Sequence, residues 1–151
     1  MITLHASAVA IDGYAVILRG PSGAGKSDLA LRLIDEGAIL VADDYVELHA
    51  RKNHIEVTAP EKIRGLFEIY GLGIVTMPVQ AVAELALVCD LSVGGEMERL
   101  PEKIGRLHLD DGPPAPIVKL DGRMPSASAR LRQILRLAVD NAFPSDFDKS
   151  V

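Results

Sequence analysis

The sequence predicts an α/β fold in which a buried strand leads through a glycine-rich loop into a helix. Residues 20–27 read Gly-Pro-Ser-Gly-Ala-Gly-Lys-Ser and fit the phosphate-binding P-loop pattern G-x-x-x-x-G-K-[ST]. The apolar run 14–18 just before them is typical of a strand. The run 28–36 just after them has helical character, and Gly37 follows it as a helix-ending glycine. The motif therefore stands in the strand–loop–helix context that phosphate binding requires.

The residue types of this loop explain why it would bind a nucleoside triphosphate. Gly20, Gly23 and Gly25 allow positive φ angles, so that successive N–H groups turn inward around an anion. Lys26 brings a positive charge to the β- and γ-phosphates, and the Ser27 hydroxyl is suited to ligate Mg²⁺. The other positions of the expected nucleotide-binding loop are Pro21, Ser22 and Ala24. A glycine-rich turn that binds nothing is the alternative.

Composition limits the other classes of function. The chain has 151 residues, of which 48% are hydrophobic and only 4% aromatic, so we expect one domain with an aliphatic core. The formal net charge of −5 argues against non-specific nucleic-acid binding, which needs a basic surface. The single cysteine, Cys89, excludes a disulfide framework, and we expect its thiol to be buried in the core. A reducing cytoplasm is the expected location of the protein.

No membrane-spanning segment is predicted. Polar residues Gln80, Glu84 and Asp90 interrupt the apolar stretch 77–93. We expect a catalytic domain over residues 1–143 and a loose, polar tail over 144–151.

A hairpin is predicted to bring a histidine to the P-loop. Residues 4–11 are expected to form one strand, which turns at Asp12-Gly13 and returns as the strand over 14–18. Antiparallel pairing around that turn places His5 opposite Gly20, near the triphosphate. An ordinary surface histidine at the start of a strand is the alternative.

Acidic residues follow the next predicted strand. The run 38–42 is typical of a buried strand and ends at Asp43 and Asp44. Two carboxylates at such a strand end are placed for a Mg²⁺ contact or a catalytic base, although a solvated turn is the alternative. Glu68 lies among apolar residues before two glycines, and the pattern leaves open a buried Mg²⁺ ligand or a salt-bridged structural acid.

The remaining elements are less distinctive. Strands are expected over 45–50, 55–59, 103–109 and 117–120, with a helical turn over 60–64, while 81–91 fits either a strand or a helix. Ser126 is a good N-cap for a final helix with one apolar stripe. That stripe consists of Ala127, Leu131, Ile134, Leu135, Ala138, Val139 and Ala142. The charged loop 94–101 fits a solvated turn.

The order of these motifs resembles the catalytic domain of HPr kinase/phosphorylase. The resemblance consists of His5, the P-loop, Ala-Asp-Asp ending at Asp44, the segment Phe-Glu-Ile-Tyr-Gly-Leu-Gly-Ile over 67–74, and Glu-Arg-Leu over 98–100. It runs from about residue 3 to residue 100. That family phosphorylates a seryl hydroxyl on HPr, the small phosphocarrier of the bacterial phosphotransferase system.

The resemblance implies a role for each matching residue. Asp44 would accept the proton of the seryl hydroxyl, with His5 beside it. Asp43 would support this base or the metal, and Glu68 would be a second Mg²⁺ ligand. Arg99 would match the catalytic arginine. Lys26 and the P-loop would hold ATP, and Ser27 would ligate Mg²⁺. The family also implies a mixed sheet with flanking helices related to phosphoenolpyruvate carboxykinase, a hexamer, and HPr as partner.

The chain departs from the family pattern in three places. It resembles a short form without the usual N-terminal domain. Tyr70 stands where most members have Arg, and the basic C-terminal loop is represented only by Lys119 and Arg123. These departures favour the kinase direction over phosphorolysis. A P-loop kinase for a small metabolite and a non-catalytic nucleotide sensor are the alternatives.

Overall fold

The computed structural model describes residues 1–92 and 104–144, which form strands, two α-helices and one short 3₁₀ turn. The strands are β1 (Ile2–His5), β2 (Ser7–Ile11), β3 (Tyr14–Arg19), β4 (Ile39–Ala42), β5 (Tyr45–Ala50), β6 (Ile55–Thr58), β7 (Leu66–Ile69), β8 (Gly73–Thr76), β9 (Ala83–Leu91), β10 (Gly105–Leu107) and β11 (Ala115–Leu120). The helices are α1 (Lys26–Asp35) and α2 (Ala127–Val139), and the 3₁₀ turn is Glu61–Ile63.

The main sheet is mixed and is organised around β9. Its order is β1-β5-β6-β9-β3-β2-β4, and the carboxyl half of β9 also pairs with β11, which pairs with β10. Strand β9 is parallel to β3 and β11 and antiparallel to β6. Strands β7 and β8 form a separate hairpin. This architecture confirms the predicted α/β fold with a mixed sheet and flanking helices.

Each face of the sheet is covered in a different way. Leu29 and Leu33 of α1 and Leu131 of α2 are buried in one core cluster with Val16 and Leu18 of β3. A second cluster joins the opposite face of β2 and β3 to β5 and β6. Its members include Ala8, Ala10, Ala15, Val46, Leu48, Ile55 and Val57.

The predicted aliphatic core is confirmed for the described residues. Phe67 is the one aromatic side chain among their buried hydrophobic residues, and Cys89 is fully buried as expected. No helix in the described ranges combines the length and apolar character needed to cross a bilayer.

The first predicted strand is broken, and this corrects the expected place of His5. The turn at Asp12-Gly13 is confirmed, with Ile11 opposite Tyr14 and both turn residues at positive φ. However, β2 begins at Ser7, whereas β1 pairs with β5. The backbone N–H of Ala6 donates to the carbonyl of Asp44 at 2.9 Å, which draws the chain toward β5. The predicted pairing of His5 with Gly20 is therefore wrong.

Two other expectations are settled by the structure. The ambiguous run 81–91 is a strand, β9, which has partners along both edges. Ser126 occupies the N-cap position of α2 but makes no side-chain capping bond, and the helix ends at Val139, before Ala142. Residues 145–151 of the expected tail lie outside the described residues.

Candidate functional site

The predicted P-loop connects β3 to α1 at one edge of the sheet. Strand β3 ends at Arg19 and α1 begins at Lys26, so the loop crosses from a buried strand to a helix N-terminus. Gly25 forms the N-cap with φ 90°, in the left-handed region. The Lys26 ammonium donates to the carbonyl of Gly20 at 2.6 Å and to that of Pro21 at 3.4 Å. The lysine thus lies within its own loop, where a phosphate-binding charge is expected.

The first glycine of the loop is required by close packing. A Cβ atom added to Gly20 would lie 2.7 Å from the carbonyl oxygen of Leu91 and 3.1 Å from the Cβ of Ala24. Its φ of 156° is also a conformation that residues with a side chain rarely adopt. The start of the P-loop is therefore packed directly on the end of β9.

An ion pair joins the two strand ends beneath this contact. Arg19 and Asp90 are register partners on the parallel strands β3 and β9. The Arg19 guanidinium donates to both carboxylate oxygens of Asp90, at 2.7 and 3.0 Å. Arg19 directly precedes Gly20, and Asp90 directly precedes Leu91. The ion pair therefore connects β3 and β9 where the P-loop begins.

Asp43 is the hydrogen-bonding centre of the site. Its Oδ1 accepts from the Ser7 hydroxyl at 2.8 Å and from the Ser27 hydroxyl at 3.3 Å. Its Oδ2 accepts from the backbone N–H of Glu68 at 3.5 Å. One carboxylate therefore connects the start of β2, the P-loop and the β7–β8 hairpin.

Asp44 lies on the open side of this centre. Its carboxylate is 3.0 Å from Nε2 of His5, and the side chains of Asp44 and His5 are 66% and 57% exposed. The ring of Tyr45 flanks that of His5, with centroids 5.1 Å apart. Asp44 has φ 73°, an uncommon conformation for a residue other than glycine. The structure thus brings His5 to an acidic group beside the P-loop, by a route other than the predicted hairpin.

Glu68 is not buried, which corrects one part of its sequence-based interpretation. Its side chain is exposed on β7, so a buried metal ligand is wrong. Its backbone nevertheless contacts Asp43, which places the residue at the rim of the site.

The oxygen groups fit Mg²⁺ better than a protein-only metal cage. Among residues 1–92 and 104–144, no three His, Cys, Asp or Glu side chains are grouped to hold a metal ion. The hydroxyl of Ser27 and the carboxylate of Asp43 do converge. Mg²⁺ commonly takes one or two carboxylates and completes its shell with substrate phosphates and water. Ser27 and Asp43 match that kind of site.

The C-terminal loop with Arg123, which the family resemblance connects with phosphorolysis, packs on the P-loop. Arg32 of α1 donates to the backbone carbonyls of Gly122 and Met124 and holds this loop in place. The exposed side chain of Arg123 lies beside Gly25, where an added Cβ would meet its Cγ at 3.4 Å. These contacts join positions about 90 residues apart along the chain, so no local pattern could reveal them.

Comparison with known proteins identifies the family. The family model described as HPr Serine kinase C-terminal domain matches residues 1–93. The chain belongs to this family. A relative from Geobacillus kaustophilus named HPr kinase/phosphorylase is 36% identical over 145 residues, which cover 90% of this chain and 44% of the relative. Another of the same name from Exiguobacterium sibiricum is 40% identical over 98 residues, 60% of this chain and 32% of the relative.

Comparison with a solved structure supports the fold described above for this chain. The structure titled Hpr(Ser) kinase/phosphatase from Coxiella burnetii matches with a TM-score of 0.79 at 23% identity, covering 93% of this chain and 98% of that one. The chain spans less than half the length of the curated relatives named above.

Three residues complete the comparison with the family pattern. Arg99, the expected catalytic arginine, lies outside the described residues. Tyr70, which replaces the family arginine, is 99% exposed at the tip of the β7–β8 hairpin. Lys119 is exposed on β11.

One site residue was missed in the sequence. Ser7 is 1% exposed and bonds to Asp43, whereas from the sequence it is only one position of the expected strand over 4–11. The available signal was a single hydroxyl in the otherwise apolar run Ala-Ser-Ala-Val-Ala-Ile.

Proposed function

We propose that the chain transfers the γ-phosphoryl group of ATP to a seryl hydroxyl of an HPr-type phosphocarrier protein, in the presence of Mg²⁺. The observation that carries this proposal is the pair of adjacent acids after β4. Asp43 contacts the hydroxyl of P-loop residue Ser27, and Asp44 next to it remains exposed. The acid that contacts the P-loop and the exposed acid that we propose as the base are thus consecutive residues.

The P-loop would bind the triphosphate through backbone N–H groups and the amino end of α1. Lys26, now bonded to the Gly20 and Pro21 carbonyls, would reorient toward the β- and γ-phosphates. Ser27 and Asp43 would hold Mg²⁺, with Glu68 as a further oxygen ligand at the rim. When bound, the ion neutralises charge that develops on the phosphate oxygens.

Asp44 would act as the base for the acceptor. The seryl oxygen forms a bond to the γ-phosphorus, the bond from that phosphorus to the β–γ bridging oxygen breaks, and the seryl proton passes to the Asp44 carboxylate. ADP and phosphoserine are the products. Because Asp44 is exposed, a hydroxyl on a protein surface can approach it. His5, 3.0 Å away, would hold the carboxylate in position, and Arg99 would add positive charge at the phosphates.

The relatives' name also motivates a dephosphorylation by phosphorolysis. In this reaction an oxygen of inorganic phosphate bonds to the phosphoserine phosphorus, the bond from that phosphorus to the seryl oxygen breaks, and pyrophosphate and the free seryl hydroxyl are the products. Exposed Tyr70 in place of an arginine leads us to propose that this direction is the weaker one. We further propose a hexamer and a cytoplasmic location, following the family resemblance and the location of the phosphocarrier substrate.

The decisive test is the intact mass of purified HPr after incubation with this protein, Mg²⁺ and ATP. We expect a gain of one phosphate on a serine. Asp44→Asn should bind nucleotide with unchanged affinity but transfer at least a hundredfold more slowly, within the range typical of general-base catalysis. Nucleotide binding without any HPr phosphorylation by the wild type would refute the proposed acceptor. Normal transfer by Asp44→Asn would refute the proposed base.

A further inference from the structure

Ser7 is unusual among the polar residues of the described chain. Only it and Ser128 are buried polar side chains in residues 1–92 and 104–144. Ser7 lies between the fully buried Ala6 and Ala8, at the start of β2. A hydroxyl in such surroundings is retained only if it is hydrogen-bonded.

The Ser7 hydroxyl bonds to both acidic residues of the site. It donates to Oδ1 of Asp43 at 2.8 Å and accepts from the backbone N–H of Asp44 at 3.5 Å. The adjacent N–H of Ala6 donates to the carbonyl of Asp44 at 2.9 Å. Ala6 and Ser7, at the break between β1 and β2, therefore both form hydrogen bonds to the Asp43–Asp44 turn.

These bonds support a backbone conformation that needs support. Asp44 has φ 73°, and non-glycine residues persist in such a conformation when surrounding contacts fix it. That conformation directs the Asp44 carboxylate toward His5. Ser7 thus contacts the backbone of Asp44, the proposed base, but not its carboxylate.

Ser7 also holds Asp43 independently of the P-loop. Asp43 Oδ1 is shared between the hydroxyls of Ser7 and Ser27, and the Ser7 bond is the shorter one. Ser27 belongs to the nucleotide-binding loop, whereas Ser7 belongs to the sheet. The Ser7 bond therefore connects the Asp43 carboxylate to the main sheet.

We propose that Ser7 is a positioning residue that orients Asp43 toward the metal-binding side of the P-loop and Asp44 toward the acceptor. This inference rests on the proposed function and extends it to a residue that is buried beneath the site, at 1% exposure. Residues that orient metal ligands typically change metal affinity or activity by about 10- to 100-fold when removed. We expect an effect of that size for Ser7.

The first test compares two buried serines. Ser7→Ala should lower kcat for HPr phosphorylation by about 10- to 100-fold, with the KM for ATP changed by less than about threefold. Ser7→Thr, which keeps a hydroxyl, should recover part of kcat. Ser128→Ala is the matched control, because Ser128 lies on α2, is 5% exposed, and has its hydroxyl 3.3 Å from the Glu36 carboxylate. It should leave kcat unchanged.

The second test does not depend on activity. ADP binding is titrated at increasing Mg²⁺ concentrations, and Ser7→Ala should need about tenfold more Mg²⁺ for half of the effect, with unchanged affinity in EDTA. Wild-type values for Ser7→Ala in kcat and in the Mg²⁺ titration would overturn the inference, as would equal losses in Ser7→Ala and Ser128→Ala. If the wild type does not phosphorylate HPr, the proposed function fails, and the Mg²⁺ titration alone still decides the role of Ser7.

Discussion

The contact between Gly20 and Leu91 gives a sharp test of how the P-loop is built. In Gly20→Ala, the new Cβ would lie 2.7 Å from a backbone carbonyl oxygen. A backbone atom cannot rotate away as a side chain can, so the loop or the end of β9 must move. Overpacking of this kind costs about 1–3 kcal/mol.

The positive φ of Gly20 adds a separate conformational cost, and Gly13→Ala measures such a cost alone. Gly13 has φ 86° in the β2–β3 turn, and an added Cβ would meet nothing within 4 Å. A left-handed conformation costs a residue with a side chain about 1–2 kcal/mol. We therefore expect Gly13→Ala to lose about 1–2 kcal/mol and Gly20→Ala to lose about 2–5 kcal/mol when the clash is added.

Urea unfolding followed by far-ultraviolet circular dichroism suits this comparison, because the chain has no tryptophan. Nucleotide affinity should fall in Gly20→Ala and stay at the wild-type value in Gly13→Ala. Equal unfolding free energies for the two variants would refute the steric reasoning. Wild-type nucleotide affinity in Gly20→Ala would show that the loop does not depend on its contact with β9.

Three further predictions concern charge and burial. The Arg19–Asp90 pair is partly exposed, at 28% and 38%, so a double-mutant cycle with Arg19→Met and Asp90→Asn should give a coupling of about 1 kcal/mol that shrinks in 1 M salt; zero coupling at low salt would contradict this. A hydrogen bond from His54, aided by Arg51, lowers the pKa of Glu56 below 4.5. The stability from this carboxylate is therefore present above pH 4.5 and lost as the pH falls through the lowered pKa. In Glu56→Gln, the unfolding free energy should depend less steeply on pH across that acidic range. An unchanged slope in this variant would contradict the contribution of Glu56. Burial raises the pKa of the Cys89 thiol, so a thiol reagent should label it only as fast as the protein unfolds, and rapid labelling of the folded chain would contradict its buried position.

The sequence predicted those parts of the site that depend on local pattern. The P-loop needs only a strand, a fixed spacing of residues and a helix, all within residues 14–36, and the structure has β3 and α1 there. The acids at the end of β4 could be predicted for the same reason, because a short apolar run ending in Asp43 and Asp44 identifies a buried strand end.

The features that were missed depend on contacts between distant segments. The break at Ala6 follows from a hydrogen bond to Asp44, and the demand for glycine at position 20 follows from the carbonyl of Leu91. The exposure of Glu68 follows from the β7–β8 hairpin, whose partly buried side includes Phe67 and Ile69. Alternation along one strand does not reveal which partner covers either face.

The antiparallel strand β2 explains why Ser7 reaches the acids at all. It lies between β3 and β4 and runs opposite to both, so its first residue lies at the edge where β3 and β4 end. The P-loop leaves β3 at that edge, and Asp43 follows β4. A parallel strand in this position would bring its own carboxyl end to the site. The antiparallel strand instead brings an amino end, whose Ala6 N–H and Ser7 hydroxyl bond to the acids from within the sheet. The support from Ser7 therefore requires β4 to lie next to β2, as their antiparallel pairing shows.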